Sequence, residues 1–259
     1  MRQIEKTNKK GILRKLFIKL CRLLGYELVD QADISFATSL NKESASIIGK
    51  KSITLPLGEI KIKRKIHSFD VILKTCTSVN LVTQNKKRIF EDKKSEYTFR
   101  TLNSLLKSLK KAETNTKNIN FQITIIDAGS PENDKEIMRE ILKKSKFKFH
   151  FINLNLNDYL QRIKVINKNN AQIESNMKST MASIIKSFEI SKNSNDLVYF
   201  VEDDYIHSLD CISEMLSFYE KFSTIFEDEV FIIPVDYPYL YQKNLSTNIL
   251  IGQNYHWRS

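Results

Sequence analysis

The sequence predicts an α/β protein with a mostly parallel sheet flanked by helices, and three observations support this prediction. Short apolar segments alternate with longer stretches in which apolar residues recur at helical spacing, an alternation typical of parallel sheets. The chain of 259 residues is 41% hydrophobic and 27% charged, so it can bury a sizeable core. Two of the apolar segments also run directly into acidic residues, as expected where strands of such a sheet lead into ligand-binding loops.

The predicted elements of this domain follow one another from residue 70 onward. Five apolar segments are predicted strands: residues 71–75, 121–126, 147–152, 197–201 and 230–233. Helical spacing predicts helices over residues 100–111 and 177–188, and two more that begin behind Ser130 and Ser208 as N-caps. We therefore predict one α/β domain over residues 70–259. We expect it to be C-terminally truncated, because no helix or strand is predicted to follow Trp257.

Two smaller units are predicted before this domain. Residues 31–69 are predicted to form a polar linker and a small β-hairpin, because apolar residues alternate between Ile53 and Ile66 around Pro56 and Gly58. Residues 1–30 are predicted to contain a basic amphipathic helix. Its apolar positions recur at helical spacing: Ile12, Leu13, Leu16, Phe17, Leu20, Leu23 and Leu24.

This helix is too short to cross a bilayer, which needs about 20 apolar residues. Lys10, Arg14, Lys15, Lys19 and Arg22 fill its other face. We expect residues 10–24 to lie on an anionic membrane surface, where each basic residue contributes roughly 1 kcal/mol. Docking of the helix on its own domain or on a partner is the alternative.

Positive charge is concentrated in the N-terminal part of the chain. Residues 1–111 carry 25 Lys and Arg against 10 Asp and Glu, a surplus of 15, whereas the remainder carries 16 against 20. Such a field fits nucleic acid, an anionic membrane or a phosphorylated substrate. We do not expect nucleic acid, because aromatic residues are not interleaved with the basic ones and no nucleic-acid-binding signature is present.

Several common enzyme classes are excluded by missing motifs. The six glycines are too widely separated for the glycine-rich turn of a dinucleotide-binding protein or a P-loop kinase. The three cysteines and four histidines form neither a C-x-x-C pair nor an H-E-x-x-H motif. No G-x-S-x-G segment is present, so an α/β-hydrolase is not expected.

An acidic cluster is the sharpest candidate for chemistry. Glu202, Asp203 and Asp204 follow the apolar segment LVYFV directly. Adjacent carboxylates repel one another unless a cation is near, and Mg²⁺ or Mn²⁺ prefers such oxygen ligands. Along an extended chain Glu202 and Asp204 point one way and Asp203 the other, so Asp203 would anchor the loop or contact a ribose. The alternative is an acidic loop at the start of the next helix.

Two segments resemble nucleotide-sugar glycosyltransferases of the GT-A fold, in particular those of family 2. VYFVEDDYIH is similar to their D-x-D motif, and ITIIDAGSPEND is similar to the segment that ends a strand with acidic residues, glycine and serine. RTLNSLLKSL resembles the first helix of that fold, and the order of these segments also agrees. The resemblance covers roughly residues 70–235 and implies a GT-A-like, Rossmann-like sheet.

The resemblance also implies roles for individual residues. Asp204 and Glu202 would hold Mn²⁺ or Mg²⁺, which would bridge the diphosphate of a nucleotide-sugar donor. The other donor-binding candidates would contact the base, the ribose or the phosphates: Thr77, Asp127, Arg100 and Asp203. Asp236, between two prolines after the last predicted strand, is the candidate base for the acceptor hydroxyl, or else a turn residue.

The function expected from these features is glycosyl transfer. The enzyme would move a sugar from a nucleotide-diphosphate donor to a polysaccharide or lipid-linked acceptor, in the cytoplasm at the inner face of the membrane. Two alternatives remain open at this point: a catalytically degenerate protein of the same fold, and a nucleotidyltransferase.

Overall fold

The computed structural model describes residues 12–24, 61–78, 93–116, 118–164, 171–235 and 249–258. At its centre lies a four-stranded sheet in which every strand is parallel to its neighbours. The strands are β1 (Ser68–Thr75), β2 (Asn120–Asp127), β3 (Lys148–Asn153) and β4 (Leu197–Glu202), in the order β3-β2-β1-β4. The predicted α/β class with a parallel sheet is confirmed.

The described part of the chain contains five α-helices, of which the first precedes β1 and the other four connect the strands or follow β4. They are α1 (Ile12–Leu23), α2 (Lys94–Asn115), α3 (Glu132–Ser145), α4 (Ala171–Ser191) and α5 (Cys211–Phe226). Helix α2 packs against both α3 and α5, while α4 contacts β1 and β2. Right-handed crossovers explain this arrangement, because the chain moves one way from β1 to β3 and then returns to β4, which brings α4 to the opposite face. Among the described residues, no helix is long and apolar enough to cross a bilayer.

The larger part of the core lies between the sheet and α2, α3 and α5. Strand residues at alternate positions supply one side of it, and α2 supplies Leu102, Leu105 and Leu109 on the other. The strand contribution includes Val71, Leu73, Ile123 and Ile125, all at most 1% exposed. Burial of each such side chain stabilises the fold by roughly 1.5–3 kcal/mol. Beneath α4 a smaller cluster contains Tyr159, Ile163 and Ala182.

The strand register brings the carboxyl ends of all four strands to one edge. Thr75 lies opposite Asp127, Lys74 opposite Glu202, and Asp127 opposite Asn153. The chain leaves β1 toward β2 and β3 on one side and returns to β4 on the other. The gap beyond the ends of β1 and β4 is therefore a topological switch point, where open parallel sheets usually bind ligands.

Three local predictions differ from the structure. Residues 230–233 form no strand: Val230 and Ile232 pack on the core while Phe231 and Ile233 are exposed. The alternation therefore reflects one-sided burial, and within the described part of the chain no strand pairs with this segment. Neither Ser130 nor Ser208 is an N-cap.

The caps of α3 and α5 are Pro131 and Asp210, neither of which makes a side-chain capping bond. The Ser130 hydroxyl accepts a hydrogen bond from Thr77 N instead, which removes it from capping. Of the predicted β-hairpin, residues 51–60 lie outside the described part, and residues 61–67 are not in a strand.

A C-terminal hairpin was not predicted. Strands β5 (Ile249–Ile251) and β6 (His256–Arg258) are antiparallel and pack on α5. The Glu214 carboxylate, 1% exposed, accepts hydrogen bonds from Gln253 N, Asn254 N and Trp257 Nε1. The Trp257 ring also stacks on Phe218 with centroids 4.4 Å apart. One buried carboxylate and one aromatic pair thus fix the hairpin.

Candidate functional site

The candidate site lies where the loops after β1, β2 and β4 meet at the carboxyl edge of the sheet. The first two loops are joined directly, because Ala128 N donates to Thr75 O at 2.9 Å and Thr77 N donates to Ser130 Oγ at 2.9 Å. The Cys76 thiol donates to Ala128 O at 3.2 Å, and burial raises the pKa of this thiol. Cys76 therefore stays protonated near neutral pH and braces the loops rather than acting as a nucleophile.

Asp127 holds the loop after β2 in its shape. Its carboxylate is 1% exposed and accepts hydrogen bonds from Thr75 Oγ1 at 2.9 Å, Gly129 N at 3.2 Å and Ser130 N at 2.9 Å. Gly129 has φ of 100°, a conformation that glycine adopts without steric cost. Lys135 Nζ lies 4.0 Å from the same carboxylate. The geometry gives Asp127 a positioning role, while its predicted contact with a nucleotide stays a prediction.

Asp203 ties the third loop to the first loop and to α2. Its Oδ1 accepts from Lys94 Nζ at 2.6 Å, and its Oδ2 accepts from Thr98 Oγ1 at 2.8 Å and from Cys76 N at 3.2 Å. Both members of the Lys94–Asp203 ion pair are nearly buried. A buried ion pair is stable only when its remaining polar groups are also satisfied, and Thr98 and Cys76 meet this condition here. Asp203 is an anchor in this arrangement.

Glu202 and Asp204 flank this anchor and are both exposed. The sequence predicted this alternation, with Asp203 turned opposite to its neighbours. Glu202 Oε1 lies 3.0 Å from Lys74 Nζ, and the Lys74 side chain is largely buried while that of Glu202 is more than half exposed. The rim of the switch point therefore carries two exposed carboxylates, and the ammonium group of Lys74 lies beside one of them.

The other predicted site residues are more scattered. Thr77 lies in the loop after β1, where its Oγ1 donates to Asp134 Oδ2 at 2.6 Å at the start of α3. Arg100 is exposed on α2, six residues beyond Lys94, which corresponds to about 9 Å along the helix axis. Its predicted contact with a donor phosphate stays a prediction. Asp236 lies outside the described residues.

Sequence analysis missed three residues that the structure brings to this edge. Lys74 stands at the end of an apolar run, and Lys94 and Thr98 are one helical turn apart on α2. The spacing of Lys94 and Thr98 at i and i+4 was a usable signal that they share a face. Their common partner is more than 100 positions away in the chain, however, and no local pattern indicates it.

The carboxylates of Glu202 and Asp204 are too few to bind a divalent cation unless a further ligand completes its coordination shell. Among the described residues, no group of three or more His, Cys, Asp or Glu is arranged to hold a metal ion. Glu202 and Asp204 supply two hard oxygen donors at most, since Asp203 is engaged by Lys94 and Thr98, and Glu202 would have to share its carboxylate with Lys74. Mg²⁺ commonly binds through one or two carboxylates and completes its shell with substrate phosphates and water. The donor set thus fits a cation bound together with a phosphate ligand.

Comparison with known proteins adds no assignment. The chain matches no family model, and no curated protein is significantly similar to it.

Proposed function

We propose that this protein is a glycosyltransferase that uses a nucleotide-diphosphate sugar as donor. The observation that carries the proposal is the switch point at the carboxyl edge, where Asp127 and Asp203 brace three loops beside the exposed Glu202 and Asp204. Parallel sheets bind ligands at this position. The resemblance of the two acidic segments to the GT-A fold supports this class of donor.

The proposed chemistry depends on stabilising a departing nucleoside diphosphate. Negative charge develops on that group as the glycosidic bond to the donor breaks, and fixed positive charge nearby lowers the barrier. Lys74, held at the rim by Glu202, is one source of such charge. Mn²⁺ or Mg²⁺, held by Glu202 and Asp204, would supply Lewis-acid stabilisation. Thr77 and Arg100 remain candidates for contacts to the donor, and Asp236 remains the candidate base.

The acceptor class and the location belong to the same proposal. A polysaccharide or lipid-linked acceptor fits an enzyme whose N-terminal segment is basic and amphipathic. Such an enzyme would work in the cytoplasm, at the inner face of the membrane.

A second candidate is favoured by the ion pairs at the site. Lys94 engages Asp203 and Lys74 engages Glu202, so at least two carboxylates of the acidic cluster already have cationic partners. A catalytically degenerate protein of this fold would use these lysines to bind a nucleotide without a metal and without transferring a sugar.

A thermal-shift panel tests both candidates. UDP-, GDP-, CMP- and dTDP-sugars are added to the full chain with and without Mn²⁺, and a specific donor should stabilise it by about 2.7 kcal/mol at a hundredfold excess over Kd. The pair of substitutions Glu202→Gln and Asp204→Asn should remove the metal-dependent part. Glu140→Gln, at an exposed position of α3, is the matched control and should respond as the parent does.

The outcomes separate the candidates. Metal-dependent stabilisation followed by release of nucleoside diphosphate with an acceptor mixture supports the transferase. The degenerate protein is supported if a nucleotide stabilises the chain equally with and without Mn²⁺, if Lys74→Met abolishes this stabilisation, and if no nucleoside diphosphate is released. If no nucleotide shifts the melting curve, or if the double variant responds like the control, the donor site is not at this edge.

A further inference from the structure

Helix α1 carries an apolar face that is open to solvent in the described part of the chain. Its large apolar side chains at positions 16, 17, 20 and 23, and that of Leu24 directly after it, are each more than half exposed. Because 3.6 residues complete a turn, these positions fall on one broad face of the helix. Four large apolar side chains on a single three-turn helix, with Leu24 directly after it, form more than the scattered exposed residues that every soluble protein has.

The same helix is strongly basic beside that face. Lys19 is exposed, and the sequence of the helix also contains Arg14, Lys15 and Arg22 but no acidic residue. The apolar face and the basic residues beside it would be complementary to a partner with an apolar interior and a negatively charged surface. An anionic lipid bilayer has both properties.

From these features we infer that α1 docks in the plane of an anionic lipid bilayer and carries the α/β domain to the membrane surface. The twelve helical residues span about 18 Å, whereas the hydrocarbon core of a bilayer is about 30 Å thick, so the helix lies along the surface. Leu16, Phe17 and Leu20 would enter the boundary between headgroups and acyl chains. The basic side chains would remain among the headgroups, where removal of one of them weakens binding about fivefold.

Charge and helix length favour a bilayer over a second copy of this chain. Two copies of α1 facing each other would bring like charges together along both flanks, and a coiled-coil seam is normally bordered by complementary charges. An isolated helix of this length is also marginal in water. An apolar boundary that accepts its apolar face would stabilise it, and anionic headgroups would add attraction where a second copy adds repulsion.

Flotation of the full chain with lipid vesicles tests the inference. Vesicles of phosphatidylcholine alone are compared with vesicles in which part of the lipid is phosphatidylglycerol. The chain should float with the anionic vesicles and bind the neutral ones far more weakly, and salt should reduce binding because charges are screened beyond about 10 Å at 0.1 M salt.

Matched substitutions locate the contact. Phe17→Ser and Phe188→Ser each remove a phenylalanine that is a little more than half exposed on a helix, the first on α1 and the second on α4. The first should weaken vesicle binding about tenfold or more, and the second should leave it unchanged. Lys19→Glu should also weaken binding, while Lys144→Glu on α3 should not. All four variants should keep the nucleotide response of the parent, which separates this inference from the proposed activity. Phe17→Ser, Lys19→Glu and Lys144→Glu should also keep its melting temperature, whereas Phe188→Ser loses an edge-to-face contact with Phe200 and should melt somewhat lower.

Three results would overturn the inference. Equal losses in Phe17→Ser and Phe188→Ser would mean that α1 is not the contact. A parent chain that self-associates without lipid, becomes monomeric in Phe17→Ser and ignores vesicles would make α1 an interface between copies. A melting temperature lowered by several degrees in Phe17→Ser, with no vesicle binding by the parent, would mean that α1 packs on its own protein.

Discussion

Asp203 and Glu214 are both buried carboxylates, but their surroundings differ in kind. Asp203 at the carboxyl edge of the sheet is balanced by the ammonium group of Lys94, with Thr98 and Cys76 N as further donors. Glu214 on α5 accepts only from neutral N–H groups of the C-terminal hairpin in the hydrogen bonds described above. Without Asp203 the positive charge of Lys94 would be left without its partner in a nearly buried position. Without Glu214 only neutral N–H groups of the hairpin would lose their acceptor.

The two carboxylates also differ in which parts of the fold they hold together. Asp203 joins two strand-end loops and a helix at the switch point, so its loss disturbs the proposed site and the sheet edge together. Glu214 holds a peripheral hairpin against α5 and contacts no residue of the proposed site in these hydrogen bonds. The comparison therefore predicts a global effect at Asp203 and a local one at Glu214.

The largest effect is expected for Asp203→Ala. The substitution leaves the Lys94 ammonium nearly buried without its partner and removes the acceptor for Thr98 and Cys76 N. Loss of one partner of a buried ion pair costs about 3–5 kcal/mol of the free energy of unfolding, measured by urea denaturation. The double variant Lys94→Met/Asp203→Leu should recover most of that loss, since neither charge is then buried alone. A double variant no more stable than Asp203→Ala would show that the charge balance is not what Asp203 contributes.

A smaller and local effect is expected for Glu214→Gln. The new amide places N–H groups beside a backbone N–H donor, so one of the three hydrogen bonds to the hairpin becomes a donor–donor contact, at a cost of about 1–3 kcal/mol. Trp257 is the only tryptophan in the chain, so its fluorescence reports the docking of the hairpin on α5. The tryptophan signal should change at a lower urea concentration than the helical circular dichroism. If both signals of the variant still coincide, the hairpin and the α/β core unfold as one unit.

The sequence could predict the position of these carboxylates but not their partners. Apolar periodicity indicated the four observed strands to within three residues, because a buried strand must be apolar along most of its length. Strand order then brought Asp127 and the acidic cluster to one edge, since the ends of parallel strands meet there. The Lys94–Asp203 pair joins residues 109 positions apart, and which lysine fills that space depends on packing that no local pattern encodes.

The error at residues 230–233 has a related cause. The segment is apolar enough for a strand, but a strand also needs a neighbour with free backbone groups in register, and apolar composition says nothing about that neighbour. The C-terminal hairpin was missed for the opposite reason. Its strands have three residues each, too few for a periodic signal, and its stability depends on Glu214 and Phe218 of a distant helix.

His207 is a third buried titratable group, and unlike the two carboxylates it is buried in its neutral form. It lies in the loop that begins with Asp203, and its ring Nε2 is 3.0 Å from the hydroxyl of Tyr199. Burial lowers its pKa to about 4 from an ordinary 6.5, so the unfolded chain binds more protons than the folded one between these values. His207 therefore contributes stability that is fully present above about pH 6.5 and is lost toward pH 4, at about 1.4 kcal/mol per pH unit in the steepest part.

The substitution His207→Gln tests this contribution. It is expected to keep a polar partner for Tyr199 and to flatten the dependence of stability on pH, measured by urea denaturation from pH 7 to 4.5. The control His150→Gln, at an exposed position of β3, should keep the parental slope. Equal slopes in the parent and His207→Gln would show that protonation of this ring is not what destabilises the fold in mild acid.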